Sequence, residues 1–374
     1  MKLQKLQIVS FENPYPPNYG GIIDVYYKIK YLSKLNIEIY LHIYTHDRFD
    51  ISKLQTYCKK VYTYKRNKSI INFLSKKPYR VTSRVSDQIY NNLRQVDAPI
   101  IFEGLQSTEV LLSNKPLNKL IVRAHNIEHL YYYGLSQSAS NIFKKWLYKV
   151  EGYKFKHYEK LLHSVNAILA LSKKEYNYFS NYYDTDTYYL PVFHGNQEIL
   201  RLEGKGDYAL YHGDLTTEDN ISSAKTLISV FANLPYKFVI ASSQLPSVLQ
   251  KVIQNHKNIS FEELGNNEED LLNLISNAHV NVLYSNQPTG TKLKVFYALY
   301  NGRFCVINDN IVDDDAIRAL CEIANTQEEL AHKIHQAFGQ DFNYSQERDK
   351  VLKEYLPLNQ AEKLVNILNE IINK

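Results

Sequence analysis

Short apolar runs alternate with longer amphipathic stretches along nearly the whole chain, and the series breaks once before it starts again. This alternation predicts strands joined by crossover helices, and hence parallel sheets covered by helices on both faces. At 374 residues the chain suits two such units, given roughly 150 residues per domain.

In the first series, strands are expected at 6–11, 37–45, 60–64, 99–103, 120–125 and 167–172. A helix is expected at 22–35, with Val25, Ile29 and Leu32 on one face, and a long helical run at 142–165. A short strand at 186–192 leads into residues 193–207, where Gly195, Gly204 and Gly206 mark an interdomain linker. In the second series, strands are expected at 208–215, 237–243, 259–264, 280–285 and 304–308, helices at 268–278 and 292–300, and an amphipathic helix at 359–372. The expected domains are 1–195 and 196–355, with the C-terminal helix 356–374 packing back on the first. No repeat or low-complexity tract is visible.

Charge separates the halves. Residues 1–200 carry 28 basic and 16 acidic side chains, a net +12, and the rest carry 16 and 23, a net −7. A basic N-terminal half suits phosphate, an acidic glycan or an anionic membrane. Cys58, Cys305 and Cys321 form no C-x-x-C pair, which argues against a zinc site or a disulfide framework. No stretch approaches the roughly 20 apolar residues of a membrane span, and the N-terminus is too short and polar for a signal peptide. A cytoplasmic protein is expected.

Four segments place polar or flexible residues where strands should end, and ligands of open α/β sheets bind there. The first is Asn13–Gly21, containing Asn18, Tyr19, Gly20 and Gly21, between the first strand and the first helix. Adjacent glycines permit close backbone approach, and a helix start presents free N–H groups. A proline-stiffened turn accounts for it equally well. The second is Arg123-Ala124-His125-Asn126-Ile127-Glu128. His125 could move a proton or hydrogen-bond a hydroxyl, or the cluster could simply cap a helix starting at Asn126. The third is His212-Gly213-Asp214-Leu215, with Asp219 and Asn220 expected to cap the next helix. The fourth is Gly290-Thr291-Lys292-Leu293-Lys294, where lysines at a helix N-terminus call for an anion such as a diphosphate.

Neither the G-x-G-x-x-G nor the G-x-x-x-x-G-K-[ST] pattern is present. Asp184–Asp186 precedes the strand before the linker and Asp313–Asp315 reads as a solvated turn, and neither is expected to hold a metal. Phe143 to Tyr158 mixes lysines with aromatics, Trp146 among them. It suits an anionic membrane or a lipid-linked acceptor, although a core helix with solvated lysines is the plainer reading.

In this order the segments resemble the GT-B glycosyltransferases, specifically glycosyltransferase family 4 and its bacterial relatives. Gly20 and Gly21 match the family's Gly-Gly loop, and R-x-H-N-I-E matches a motif of its N-terminal domain. Glu159 with Ala170-Leu171-Ser172, Leu190-Pro191-Val192, and His212-Gly213-Asp214-Leu215 with Asp219-Asn220 match three further stretches. Thr289 and Tyr297 stand where the family's E-x7-E glutamates fall, the second of which holds the donor ribose.

The resemblance implies an α/β protein of GT-B type, with two facing Rossmann-like domains and an interdomain cleft. It implies an enzyme that uses a nucleoside-diphosphate sugar as co-substrate and needs no metal or other cofactor, and the basic N-terminal domain suits a cytoplasmic protein in peripheral contact with the inner face of the plasma membrane. The sugar would pass to a hydroxyl of a glycan, lipid-linked or protein-linked acceptor in bacterial surface polysaccharide synthesis, with retained configuration. His125 and Glu128 would be catalytic. Gly20, Gly21, His212, Gly213, Asp214, Gly290, Thr291, Lys292 and Lys294 would bind the donor. Asn18, Tyr19, Glu103, Arg123 and Asn126 would line the acceptor side, and no nucleic acid is implied. Two other readings stay open: a non-hydrolysing nucleotide-sugar epimerase using Glu103 and Glu128, and a non-catalytic subunit that binds glycan or a partner transferase.

Overall fold

The structure is a computed structural model, and it describes residues 2–113, 115–139, 141–265 and 268–374. The chain forms two compact units, Met1–Gly195 with Pro357–Lys374, and Asn196–Leu356.

The first unit is built on a parallel seven-stranded sheet. Its strands are β1 (Lys5–Ser10), β2 (Glu38–Thr45), β3 (Lys60–Lys65), β4 (Ile100–Glu103), β5 (Leu120–Ala124), β6 (Ala167–Ala170) and β7 (Asp186–Tyr189), in the order β3-β2-β1-β4-β5-β6-β7. The second holds β8 (Tyr208–His212), β9 (Phe238–Ser242), β10 (Ile259–Glu263), β11 (Ala278–Leu283), β12 (Phe304–Ile307) and β13 (Glu322–Ile323), in the order β10-β9-β8-β11-β12-β13. Both have the doubly wound arrangement, whose strand order reverses beside the first strand, at β1/β4 and at β8/β11.

Alternation along the strands explains the layers. Leu6 and Ile8 of β1, Ile101 of β4 and Ile121 of β5 pack on one face, with the helices Gly20–Lys34 and Pro357–Asn373. Val9, Ile100, Phe102, Leu120 and Val122 point the other way, into a core shared with Tyr132, Phe155 and Phe179. Successive side chains of a strand face opposite sides, so apolar runs buried on both faces are what a covered parallel sheet requires. The C-terminal helix buries Ala361, Leu364, Leu368 and Ile371, each of the larger side chains contributing roughly 1.5–3 kcal/mol. Asn369 Oδ1 also accepts a hydrogen bond from the Leu3 amide at 2.6 Å.

Three expectations need correction. The helical run at 142–165 ends at Tyr158 and tightens into a 3₁₀ turn over Glu159–Ser164. That helix is not a plain core helix: Glu151, Gly152, Phe155 and Tyr158 are buried, but Ile142, Phe143 and Trp146 stand 57–86 % exposed. Asp314 is not solvated, because it is buried as the cap of the short helix Asp315–Arg318 and accepts from the Ala316 amide. Strand β13 and the helices Gln327–Phe338 and Gln346–Glu354 add to the expected elements.

Candidate functional site

In the first unit the carboxyl ends of β4 and β5 and the helix Gly20–Lys34 bring five ionisable side chains into one buried chain. Lys28 Nζ donates to Asp24 Oδ2 at 2.9 Å and to Glu103 Oε1 at 2.7 Å. Arg123 forks onto Asp24, with Nη2 3.0 Å from Oδ1 and Nε 3.3 Å from Oδ2, and also donates to the carbonyls of Leu190 and Pro191. Asp24 accepts a further bond from the Phe193 amide at 2.8 Å. Burial works to raise the Asp24 carboxyl, but Arg123 and Lys28 outweigh it and hold it well below the usual carboxylate range. For Glu103, burial again pushes up, and Lys28 followed by His125 keeps it low. Two cations thus match two carboxylates in a dry interior, and that balance is what makes the burial tolerable.

His125 terminates this chain. Its Nε2 lies 3.0 Å from Glu103 Oε2, and because a carboxylate only accepts, Nε2 carries the proton. The Phe11 ring meets the imidazole edge-on at 5.7 Å between centroids. A side chain at Gly21 would meet Phe11 Cζ at 3.0 Å and His125 Nδ1 at 3.9 Å, so this glycine lets the helix start approach both rings. That helix begins at Gly20 with Tyr19 as an N-cap whose side chain makes no capping bond, and its first turn holds no acid. Its N-terminal amides therefore keep their capacity for an anion. Donor atoms of Asp24, Glu103 and His125 lie within 4.8 Å of one another, a spacing that a metal could use. The Lys28 ammonium already bridges the two carboxylates, so the trio fits a metal only if Lys28 leaves.

Glu128 opens the helix Glu128–Ser138, whose N-cap is Ile127; Asn126 lies before it and does not start the helix. Burial raises the Glu128 carboxyl to about 7, although Arg80 and Arg84 pull it down. His129 Nδ1 sits 2.9 Å from Glu159, which also accepts from the Tyr183 hydroxyl at 2.8 Å. In the first loop, Tyr19 donates to Glu12 at 2.8 Å, and Asn18 Oδ1 accepts from Arg48 Nη1 at 2.9 Å.

The second unit offers a separate group at the carboxyl ends of β8 and β11. His212 is buried, with Nε2 lacking a hydrogen-bond partner among the described residues. Burial, with Lys294 nearby, lowers its pKa to about 3, so the ring is neutral. Gly213 is explained locally, because a Cβ there would press on the Asn220 amide at 3.3 Å. Asp214 anchors its loop by accepting from the Thr216 amide at 2.9 Å. Thr217 caps the helix Glu218–Phe231. Asp219 and Asn220, expected as caps, fall inside it: Asp219 accepts from Ser285 and the Asn286 amide, and Asn220 donates to the Asp214 carbonyl.

The fourth segment differs from a simple helix-end anion site. The helix begins at Lys294, not Lys292, and Gly290 turns the preceding loop at φ +73°. The Lys292 ammonium donates to the carbonyls of Gln287, Thr289 and Gly290, at 3.0, 2.5 and 3.1 Å. Lys294 instead lies over the Tyr211 ring at 4.6 Å, with Asn220 Oδ1 at 3.4 Å. Burial lowers its pKa to about 8. Thr291 is half-buried in the same loop, and Tyr297 is buried in the apolar core behind it.

Sequence reading missed Asp24 and Lys28, the pair that joins Arg123 to Glu103. The signal was two opposite charges one turn apart beside the Val25–Ile29–Leu32 stripe. It also missed Arg48, Arg66, Arg80 and Arg84, which lie on loops and a four-residue helix with no recognisable motif.

No family profile matches the chain. A protein of Klebsiella pneumoniae described as an uncharacterized 44.6 kDa protein in the cps region is 25% identical over 325 residues, covering 82% of this chain and 76% of that protein. A glycosyltransferase from Rickettsia africae superposes with a TM-score of 0.68 at 13% identity, over 99% of each chain. A variant of S. aureus TarM, in complex with fondaparinux, α-GlcNAc-glycerol and UDP, gives 0.65 at 12% identity, over 99% of this chain and 100% of that one. A trehalose 6-phosphate synthase from Burkholderia multivorans gives 0.66 at 10% identity, over 99% and 97%. The chain therefore has the fold of the GT-B glycosyltransferases.

Proposed function

We propose that the protein is a glycosyltransferase that moves a sugar from a nucleoside diphosphate to a hydroxyl acceptor, with retained configuration and without a metal. The observation that carries the reading is His125, fixed by Glu103 at the carboxyl edge of the first sheet, beside an uncapped helix start at Gly20 and Gly21. Nε2 is tied down through Glu103 to Lys28, which leaves Nδ1, on the side toward Gly21, to accept a hydrogen bond from a hydroxyl of the transferred sugar. In the second unit, Lys294 and the loop from Gly290 would hold the diphosphate. The leaving group gains charge as the glycosidic bond breaks, and a preplaced cation that needs no reorganisation stabilises it. The anomeric carbon becomes oxocarbenium-like, as in glycoside hydrolysis.

The UDP complex of the structurally similar TarM variant supports a nucleotide co-substrate. The cps-region relative supports a place in surface polysaccharide assembly. No helix among the described residues is long and apolar enough to cross a membrane. Contact with the inner face of the membrane would instead run through exposed Ile142, Phe143 and Trp146, whose neighbours Lys144, Lys145 and Lys149 suit anionic lipid.

The test is a thermal-shift titration with a panel of free nucleotides and nucleotide sugars, because a ligand of the folded state must raise the melting temperature. One nucleoside diphosphate and its sugar conjugate should raise it, and Lys294→Ala should remove most of the shift. A flat response to every nucleotide would reject the transferase reading.

A further inference from the structure

Four arginines gather at the carboxyl ends of β1, β2 and β3, the three adjacent strands on one side of the first sheet. Arg48 follows β2, Arg66 follows β3, and Arg80 and Arg84 belong to the short helix Tyr79–Thr82 and its exit. Arg84 is 3 % exposed. Its Nε donates to the carbonyl of Phe11, which follows β1, at 2.6 Å, and its Nη1 donates to the Arg80 carbonyl at 2.6 Å. Arg66 Nε and Arg84 Nη1 both reach the Ser83 hydroxyl, each at 3.4 Å, so two guanidinium groups converge on one oxygen. Arg80 stands over the Tyr132 ring at 5.9 Å, and Arg48 over the Tyr19 ring at 5.9 Å.

Among the described residues none of these four cations has a carboxylate within ion-pair distance, in a unit where Lys28, Lys77, Arg123 and Lys154 all do. The acids in their field are Glu12, which is held by the Tyr19 hydroxyl, and Glu128, which burial keeps partly protonated near neutral pH. Burial together with Arg66 and Arg80 pulls the Arg84 guanidinium down to about 9, the sign of a group short of negative charge. Tyr44, near the end of β2 and within the field of Arg84, is 1 % exposed, and its hydroxyl has no hydrogen-bond partner among the described residues. A buried cation without a counter-ion is costly, and the arrangement is relieved by an anion that accepts from several forks at once.

We propose that this cluster binds a phosphate group carried by the acceptor. It lies one residue from the site above, since the Phe11 whose carbonyl holds Arg84 also packs its ring on His125. The role as acceptor site rests on the transferase reading, whereas the anion site itself does not. The phosphate can belong to a soluble phosphorylated glycan or to a lipid headgroup.

The full-length protein is titrated with inorganic phosphate and with glycerol 3-phosphate, against sodium chloride of equal ionic strength, and its melting temperature is followed. Both phosphates should raise it beyond the chloride control, and Arg66→Gln/Arg80→Gln should weaken the apparent affinity roughly tenfold or more, as loss of charge-assisted hydrogen bonds requires. Lys294→Ala should leave that phosphate response in place. Without ligand, Arg66→Gln alone should melt at or above the wild-type temperature, because a like charge acting on Arg84 has been removed; a purely structural role would lower it. Co-sedimentation with phosphatidylcholine vesicles containing phosphatidylglycerol, lost in the double variant, assigns the phosphate to lipid. Sedimentation unchanged by the double variant, with the soluble-phosphate response lost, assigns it to a soluble ester. A phosphate response no larger than chloride, or one equal in wild type and double variant, overturns the proposal. A nucleotide panel on the same samples separates the failures: nucleotide shifts without an arginine-dependent phosphate shift sink this site alone. The reverse sinks the transferase reading and leaves the anion site standing.

Discussion

Lys28→Met is the perturbation that probes the buried network most sharply. In the wild type, Arg123 and Lys28 balance Asp24 and Glu103, and all four side chains are fully buried. Removing the Lys28 ammonium leaves one excess negative charge in the interior, 2.7 Å from where its partner stood. Breaking a buried pair from one side costs about 3–5 kcal/mol, because the remaining charge is neither solvated nor paired. For a unit of roughly 200 residues, at about 2–4 °C per kcal/mol, the loss is about 6–20 °C in melting temperature. Glu103→Gln alone should fall in the same range. The double variant Lys28→Met/Glu103→Gln restores neutrality and should recover at least about 1.5 kcal/mol relative to the sum of the singles. Urea unfolding followed by circular dichroism measures all four corners of the cycle, and an unchanged m-value confirms that stability alone has moved. Additive singles, or a Lys28→Met cost under about 1 kcal/mol, would refute the claim that Lys28 bridges two ionised carboxylates.

Three other outcomes are expected. Glu128 has a folded-state pKa of about 7, above the ordinary carboxylate value, so its proton stabilises the fold fully below pH ~4.3 and that stabilisation fades as pH rises through 7. Glu128→Gln should flatten the stability profile between pH 5 and 8 and be the more stable protein at pH 8; an unchanged slope would show that the group titrates normally. The Lys294 ammonium, with a pKa of about 8, is charged below that value, so the Kd for the diphosphate nucleotide should rise between pH 7 and 9, by up to about tenfold per unit above 8. Lys294→Arg should remove that slope, and an equal slope in the variant would assign it to another group. Trp146→Ser should lower partitioning onto phosphatidylglycerol-containing vesicles by roughly tenfold, given the apolar area lost, and equal binding to purely zwitterionic vesicles would contradict the basic-face reading.

The sheets were legible because central strands buried on both faces must be apolar throughout, and twelve of the thirteen strands were expected from the sequence. Strand ends were less so: Phe11 and His125 looked like strand residues but lie just past β1 and β5, where function can use them. Helix starts misled most. Asn126, Asp219 and Asn220 are good capping types, yet Ile127 and Thr217 hold the N-cap positions, and Asp219 and Asn220 bond to Ser285, the Asn286 amide and the Asp214 carbonyl instead. Lys292 and Lys294 were indistinguishable in sequence. Only the fold of the loop turns one ammonium onto three carbonyls and the other over Tyr211. The arginine cluster draws on three loops and a four-residue helix, and proximity of that kind leaves no periodicity to read.

The most direct test of the transferase reading follows each nucleotide sugar by ³¹P and ¹H NMR in the presence of the wild-type protein, with and without a hydroxyl acceptor. Release of a nucleoside diphosphate from one donor is expected, with the sugar appearing in the anomeric configuration it had in the donor, and His125→Ala should slow the release at least tenfold while nucleotide binding persists. Donor that is epimerised without loss of its sugar, or release that is indifferent to His125, would contradict it.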